Sequence, residues 1–275
     1  MTMNYAAWIG KSRHSEDEIS RILVRRMQAT LAERCYQPNL DDLPMCWQWM
    51  FFQPELTEQY LGGDGHPKRG DFLPAMEGLI RMWAGGEFEF IQPLKIGEIA
   101  QCQTTIKSIK EKQGTTGRLV FVCLQHDYSQ NGILCVRELQ EVVYREPSPA
   151  KSESKAPPTA EWSSTLLPTP TLLFRYSALT FNGHRIHYDY PYTHDTEGYQ
   201  NLVVHGPMIA TLALHTAQLQ FPHRSVKTFR YRGVRPSLLP DLIRFEGRMI
   251  APKTAEVWAC NDRGIIQQGE VVFYE

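Results

Sequence analysis

Five of the nine histidines fall between Phe181 and His215, in the stretch FNGHRIHYDYPYTHDTEGYQNLVVHGPMIATLALH. Four of them, His184, His187, His194 and His205, lie in its polar, aromatic-rich first part. A Gly206-Pro207 step then opens an apolar segment with helical spacing. Imidazole is the usual proton carrier at neutral pH. A helix N-terminus presents free N–H groups and the positive end of a dipole. Together they are the parts needed to polarise a carbonyl and move a proton.

The spacing predicts a helix over 207–219, with Pro207 in the first turn, where a missing N–H costs little. Gly206 either simply starts that helix or lets a carbonyl oxygen approach the backbone closely. A preorganised donor of that kind is worth about 3–4 kcal/mol of barrier in other enzymes. His187 is the candidate acid/base, set among Asn182, Tyr188, Asp189, Asp195 and Glu197. The four histidines match no common metal-ligand spacing, so no metal is expected.

The elements that must position these groups form two echoing series. In the first, Ser15 and Glu18 form an S-x-x-E capping box ahead of an apolar stripe, which predicts a helix over 15–34. Arg21, Arg25 and Arg26 form its solvated face. Cys46 to Phe52, dense in aromatics, reads as a core strand or an apolar wall for an acyl chain. The loop LGGDGHPKRGDFLPAM (61–76) is longer than an ordinary connection, and its His66, Lys68 and Arg69 could meet phosphate. A short helix is expected around 74–82, then strands at 87–90, 99–109, 118–127 and 133–144. Gly114 and Gly117, then Asn131-Gly132, supply hairpin turns.

The Pro- and Ser-rich stretch 147–169 reads as a linker. The second series holds a strand at 172–175, the His-rich stretch, the helix, and strands at 226–231, 242–250, 255–260 and 265–273. FIQPLKIGE (90–98) and VRPSLLPD (234–241) match in type, and the halves end alike on Glu141-Val142-Val143-Tyr144 and Glu270-Val271-Val272-Phe273. Each unit would be one helix embraced by a curved antiparallel sheet.

Composition bounds the rest. The chain has 275 residues, 42% hydrophobic and 21% charged, in the soluble globular range. Its formal net charge of −1 offers no basic field for nucleic acid or an acidic membrane surface. Six scattered cysteines form no CxxC pair, and no apolar run approaches a membrane span or a signal segment. A reduced, cytoplasmic protein is expected.

FNGHRIHYD followed by VVHGPMIA resembles the MaoC-like hot-dog hydratases and dehydratases that act on acyl thioesters. WIGKSRHSEDEI, LGGDGHPKRG, FLPAM and RMWAGGEFEF resemble the branch that carries a FAS1-type dehydratase N-terminal domain, in particular its mesaconyl-CoA (methylfumaryl-CoA) and itaconyl-CoA hydratases. The resemblance implies an α+β double hot-dog. It would comprise a degenerate N-terminal domain (1–146), the linker (147–169) and a catalytic C-terminal domain (170–275), in a homodimer.

Carried over by residue, the family motif G-D-x-N-P-x-H places its histidine on His187, its aspartate on Asn182, its asparagine on His184 and its proline on Arg185. The oxyanion glycine falls on Gly206. An amide at 182 can orient water but cannot take its proton, so either His187 is the sole base or Asp189 substitutes. His184, Tyr188 and His205 are expected as support. Arg185, Arg232 and Arg235 are candidates for a substrate carboxylate or coenzyme A phosphate, with Pro207 and Trp83 joining the substrate-binding set. The implied reaction is reversible hydration of a short branched dicarboxylic enoyl-CoA to citramalyl-CoA, the coenzyme A thioester being substrate and no cofactor being needed. Another acyl chain, a thioesterase activity, or a non-catalytic acyl-CoA-binding protein are the alternatives.

Overall fold

The computed structural model describes residues 5–31, 34–114, 117–146 and 154–274. The first half holds β1 (Ser12–Glu18), α1 (Arg21–Leu31), β2 (Ile80–Phe90), β3 (Ile99–Gly114), β4 (Gly117–Gln130) and β5 (Ile133–Arg145). The second holds β6 (Trp162–Leu166), α2 (Pro170–Leu179), α3 (Gly206–Gln220), β7 (Val226–Gly233), β8 (Ile243–Ala251), β9 (Thr254–Asn261) and β10 (Gly264–Phe273). All ten strands form one antiparallel sheet in the order β1-β3-β4-β5-β2-β7-β10-β9-β8-β6. Read outward from the β2/β7 seam, each half repeats the other: β2 matches β7, β5 matches β10, β4 matches β9, β3 matches β8 and β1 matches β6. That is the double hot-dog expected from the two series.

The seam needs a glycine. Gly85 pairs with Arg232, and a Cβ there would fall 2.4 Å from the Tyr231 carbonyl oxygen. Behind the seam Phe88 faces Phe229 across the strand pair, their rings nearly parallel at 6.5 Å. Helix α3 packs on β7 to β10, and Met208, Ile209, Ala210, Leu212, Leu214 and Ala217 are all buried. A helix apolar on every side belongs inside, so the sequence that looked helical is the one that becomes the core.

Several expectations are corrected. The Ser15/Glu18 pair lies in β1, not at a helix start, because Ser12 to Glu18 pair residue for residue with β3 from Thr105 to Ile99. Its charged side chains suit an exposed sheet edge, and the helix begins at Arg21, with residues 32–33 outside the described set. Cys46 to Phe52 is core but not strand: Trp47–Met50 form a buried 3₁₀ turn. The Trp49 indole N–H donates to the buried Glu138 carboxylate at 3.1 Å. Residues 172–175 belong to α2, capped by Thr169, whose side chain accepts from the Leu172 N–H. No helix forms around 74–82; the chain turns at 77–78 and Met82 already lies in β2. Strand β6 occupies part of the expected linker, of which residues 147–153 lie outside the described set. Residues 115–116, between the hairpin glycines Gly114 and Gly117, also lie outside it.

Candidate active site

Helix α2 ends in a backbone turn that launches the His-rich stretch. The Asn182 N–H returns to the Ser177 carbonyl at 2.9 Å, and Phe181 between them takes φ 48°, a left-handed conformation usually given to glycine. Holding a bulky residue there costs about 1–2 kcal/mol. The following residues are then braced by their own side chains. Asn182 Oδ1 accepts from the His184 N–H at 3.0 Å. The Tyr188 hydroxyl donates to the Gly183 carbonyl at 2.9 Å. Asp189 accepts from Arg185 Nη2 at 2.7 Å and from the Tyr192 N–H at 3.1 Å. Those two groups, the backbone N–H first, hold the Asp189 carboxyl below its ordinary range.

His187 ends the 3₁₀ turn Arg185–His187 and is buried. Its Nδ1 lies 2.7 Å from the Val203 carbonyl oxygen. A carbonyl only accepts, so Nδ1 carries the proton and Nε2 keeps a free lone pair. Burial lowers its pKa to about 4, so the ring is neutral and basic at physiological pH. The His205 ring stacks on it at 3.6 Å, and His205 Nε2 meets the Ser177 hydroxyl at 2.8 Å. His205 immediately precedes α3, so the stack sets the base against that helix's N-terminus.

Gly206 opens α3, and among the described residues its N–H has no acceptor. Its carbonyl accepts from Gln267 Nε2 at 3.3 Å. A Cβ built on Gly206 would meet nothing within 4 Å, so the space before the helix is open. Pro207 in the first turn removes a competing donor.

The loop near residue 64 comes from the first half and interlocks with this stretch. Gly65, at φ +85°, sits so close to Gly183 that a Cβ would fall 1.9 Å from the Gly183 carbonyl oxygen. The Arg185 N–H donates to the Asp64 carbonyl at 3.0 Å, and Arg185 Nη1 to the Gly63 carbonyl at 3.0 Å. His66 thereby reaches His184, with ring centroids 4.3 Å apart, and His184 meets His187 edge-on at 5.6 Å. Asp64 Oδ1 accepts from the His66 N–H at 3.0 Å, and Oδ2 lies 3.6 Å from His66 Nδ1. Burial lowers both imidazoles, His184 to about 2, with the Arg81 charge adding to the effect on each. Burial alone would raise the Asp64 carboxyl, but the nearby His66 imidazole and the bond from the His66 backbone N–H outweigh that and keep it ionised.

The expected cations behave differently from one another. Arg185 is spent on Asp189, Gly63 and the Tyr192 ring, 4.3 Å away. Buried Arg235 donates to Asn261 and to the Gly264 carbonyl. Arg232 is exposed on β7 beside the seam. Trp83 is tied to the Tyr231 hydroxyl at 2.8 Å and meets Trp49 edge-on at 5.2 Å, which makes it a seam residue. Lys68 donates to the Gln59 carbonyl, and Arg69 to the Leu79 and Met76 carbonyls. The Arg81 side chain on β2 has no ion pair or hydrogen bond among the described residues, and its charge, like that of Asp64, bears on both His66 and His184. His194 is exposed beside Asp195, and His215 pins the Tyr36 N–H and Met45 carbonyl inside the core. Sequence reasoning passed over Asp64 and Arg81. The acid-Gly-His run inside an over-long glycine loop was the available signal for Asp64; nothing in the sequence marked Arg81.

A neutral imidazole with a free nitrogen stands beside an unsatisfied helix N-terminus on this fold, an arrangement that suits a thioester hydratase or dehydratase of the hot-dog class. The chain belongs to the hydroxyacyl-thioester dehydratase type 2 family, whose model matches residues 46–239. It is 40% identical over 247 residues to the mesaconyl-C4-CoA hydratase of Chloroflexus aurantiacus, covering 88% of this chain and 87% of that one. It is 26% identical to the mitochondrial hydroxyacyl-thioester dehydratase type 2 of Schizosaccharomyces pombe, covering 88% and 91%. In fold it is similar to HtdX of Mycobacterium tuberculosis (TM-score 0.69, 17% identity, covering 95% of this chain and 100% of that one). The MaoC-like dehydratase of Phytophthora capsici is similar too (TM-score 0.71, 12% identity, covering 97% and 96%). The chain is thus a carbon-oxygen hydro-lyase of the MaoC-like class. No helix among the described residues is long and apolar enough to cross a membrane.

Proposed function

We propose that this enzyme adds water reversibly to a short branched dicarboxylic enoyl-CoA, mesaconyl-C4-CoA or itaconyl-CoA, to give citramalyl-CoA. The observation that carries the chemistry is His187, locked by Val203 with Nε2 free next to the open N-terminus of α3. The dicarboxylic reading is supported by Arg81, a cation beside the imidazole cluster with no partner among the described residues, and by the similarity to a protein named mesaconyl-C4-CoA hydratase.

In this reading the thioester oxygen rests on the Gly206 N–H, and Nε2 of His187 takes a proton from water. The water oxygen bonds to the β-carbon as the π pair moves toward the thioester, and the resulting enolate is stabilised at the helix N-terminus. The His187 imidazolium then returns its proton to the α-carbon, which regenerates the neutral ring. With the thioester at carbon 4, the β-carbon of mesaconate carries the methyl group and the free carboxylate, so hydration makes the tertiary alcohol of citramalyl-CoA. Itaconyl-CoA with the same linkage is unconjugated and needs a proton shift first. The oxidation level of the whole is unchanged, so coenzyme A serves only as the acyl handle.

The test is incubation of the purified enzyme with mesaconyl-C4-CoA, itaconyl-CoA and crotonyl-CoA, followed by mass spectrometry for the gain of one water. The dicarboxylic thioesters are expected to gain water faster. Preference for crotonyl-CoA would reassign the enzyme to monocarboxylic acyl chains.

A further inference from the structure

The motif position that would carry a carboxylate is Asn182, whose amide oxygen is committed to the His184 N–H. Asp189, the sequence-level substitute, is committed to Arg185 and the Tyr192 N–H. Both oxygens are thus already engaged, and the Asn182 Nδ2 that is left over can only donate to a water, not take its proton. We propose that Asp64 and His66, delivered from the first half, form with His184 the seat for the water that His187 activates.

Three observations support this. One polar atom each of Asp64, His66 and His184 lies within 4.8 Å of the other two. A triangle of that size leaves a point about 2.8 Å from all three corners, the ordinary hydrogen-bond length, so one water oxygen fits. Second, His66 Nδ1 is buried with no hydrogen-bond partner among the described residues, its nearest acid being Asp64 at 3.6 Å. Third, the cluster adjoins the base, since the His184 ring meets that of His187 at 5.6 Å. Arg69, 3.7 Å from Asp64, and the unpartnered Arg81 make the same seat unfavourable for a metal cation.

The chemistry closes without a further reagent. The seated water gives one proton to His187 Nε2 and one oxygen pair to the β-carbon; its other proton stays on the oxygen, hydrogen-bonded to the Asp64 carboxylate, while an imidazole N–H donates to the second oxygen pair. Asp64, His66 and His184 all touch the water, and Asp64 also fixes His66 by accepting its backbone N–H. The first half is therefore a working part of the site rather than a relic of duplication.

The inference rests on the hydratase reading, and the experiment separates the two. Wild type, His187→Ala, His66→Ala, Asp64→Asn and the exposed control His194→Ala are assayed for hydration of mesaconyl-C4-CoA and crotonyl-CoA. Circular dichroism and metal content are measured alongside. His66→Ala is expected to lose about 100-fold in kcat with KM changed little, and to recover part of the rate on addition of imidazole. Asp64→Asn is expected to fall about 10-fold and to show no imidazole rescue. A folded His66→Ala with wild-type kcat, beside an inactive His187→Ala, would overturn the water seat and leave the hydratase reading standing. Stoichiometric bound metal whose removal abolishes activity would overturn it in favour of a cation site. No hydration by wild type would take down both.

Discussion

Gly65 of the first half and Gly183 of the second touch backbone to backbone. A Cβ on Gly65 would fall 1.9 Å from the Gly183 carbonyl oxygen, and one on Gly183 would fall 2.7 Å from the Gly65 carbonyl oxygen. This contact holds the Asp64 loop against the His184 turn, so it couples the halves at the point where chemistry is done. Gly183→Ala is expected to force the two loops apart, lowering turnover by more than about 10-fold, as a misplacement near 1 Å does. A melting temperature and a kcat measurement on that variant check it. Wild-type turnover would mean that the loop contact does not position the site.

Burial leaves His187 neutral down to about pH 4 rather than 6.5. The acidic limb of kcat/KM is therefore expected well below the usual histidine value, with near-full activity at pH 5.5. Stability runs the other way. His126, His187 and His215 all fall to about 4 and His184 to about 2, while unfolded histidines titrate near 6.5. Below pH 6.5 the unfolded chain binds more protons than the folded one, so stability is full above that pH and is lost as pH falls toward 4. Urea midpoints at pH 7.5, 6 and 5 should fall in that order, faster than activity over the same range.

Gly206 offers a variant that separates folding from catalysis. Its Cβ position is empty of protein and its φ is not left-handed, so Gly206→Ala should fold with an unchanged melting temperature. The methyl group would stand where the thioester oxygen must approach, and kcat/KM is expected to drop at least about 100-fold, the loss seen when one oxyanion donor is removed. A folded, fully active Gly206→Ala would remove the helix N-terminus from the mechanism.

Arg81 carries the expectation for substrate choice. Arg81→Met should raise KM for mesaconyl-C4-CoA by about 10- to 100-fold, the loss of one charge-assisted pair, and leave crotonyl-CoA hydration unchanged. Equal losses on both thioesters would make Arg81 a general support of the site.

The sheet was legible because alternation and hairpin turns are local. Asn131-Gly132 marks its turn with positive φ at both residues, and eight of the nine expected strands that follow residue 86 appear as strands. His187 and Gly206 were legible because both belong to one continuous motif. The failures were tertiary. Ser15 and Glu18 carry a good helix-start signal, yet pairing with β3 outweighs it, since edge strands answer to their neighbours. Residues 172–175 looked like a strand because four apolar or long residues in a row do not separate the two periods. Asp64 and Arg81 reach the site only through folding across the seam, from more than 100 positions away in sequence, and no local pattern reports that.

The most direct measurement is the hydration of mesaconyl-C4-CoA in ¹⁸O-water by wild type and His187→Ala, read by mass spectrometry. Wild type is expected to place one ¹⁸O in citramalyl-CoA, with the folded His187→Ala variant slower by at least about 100-fold in kcat. Unchanged turnover in that variant would contradict the account.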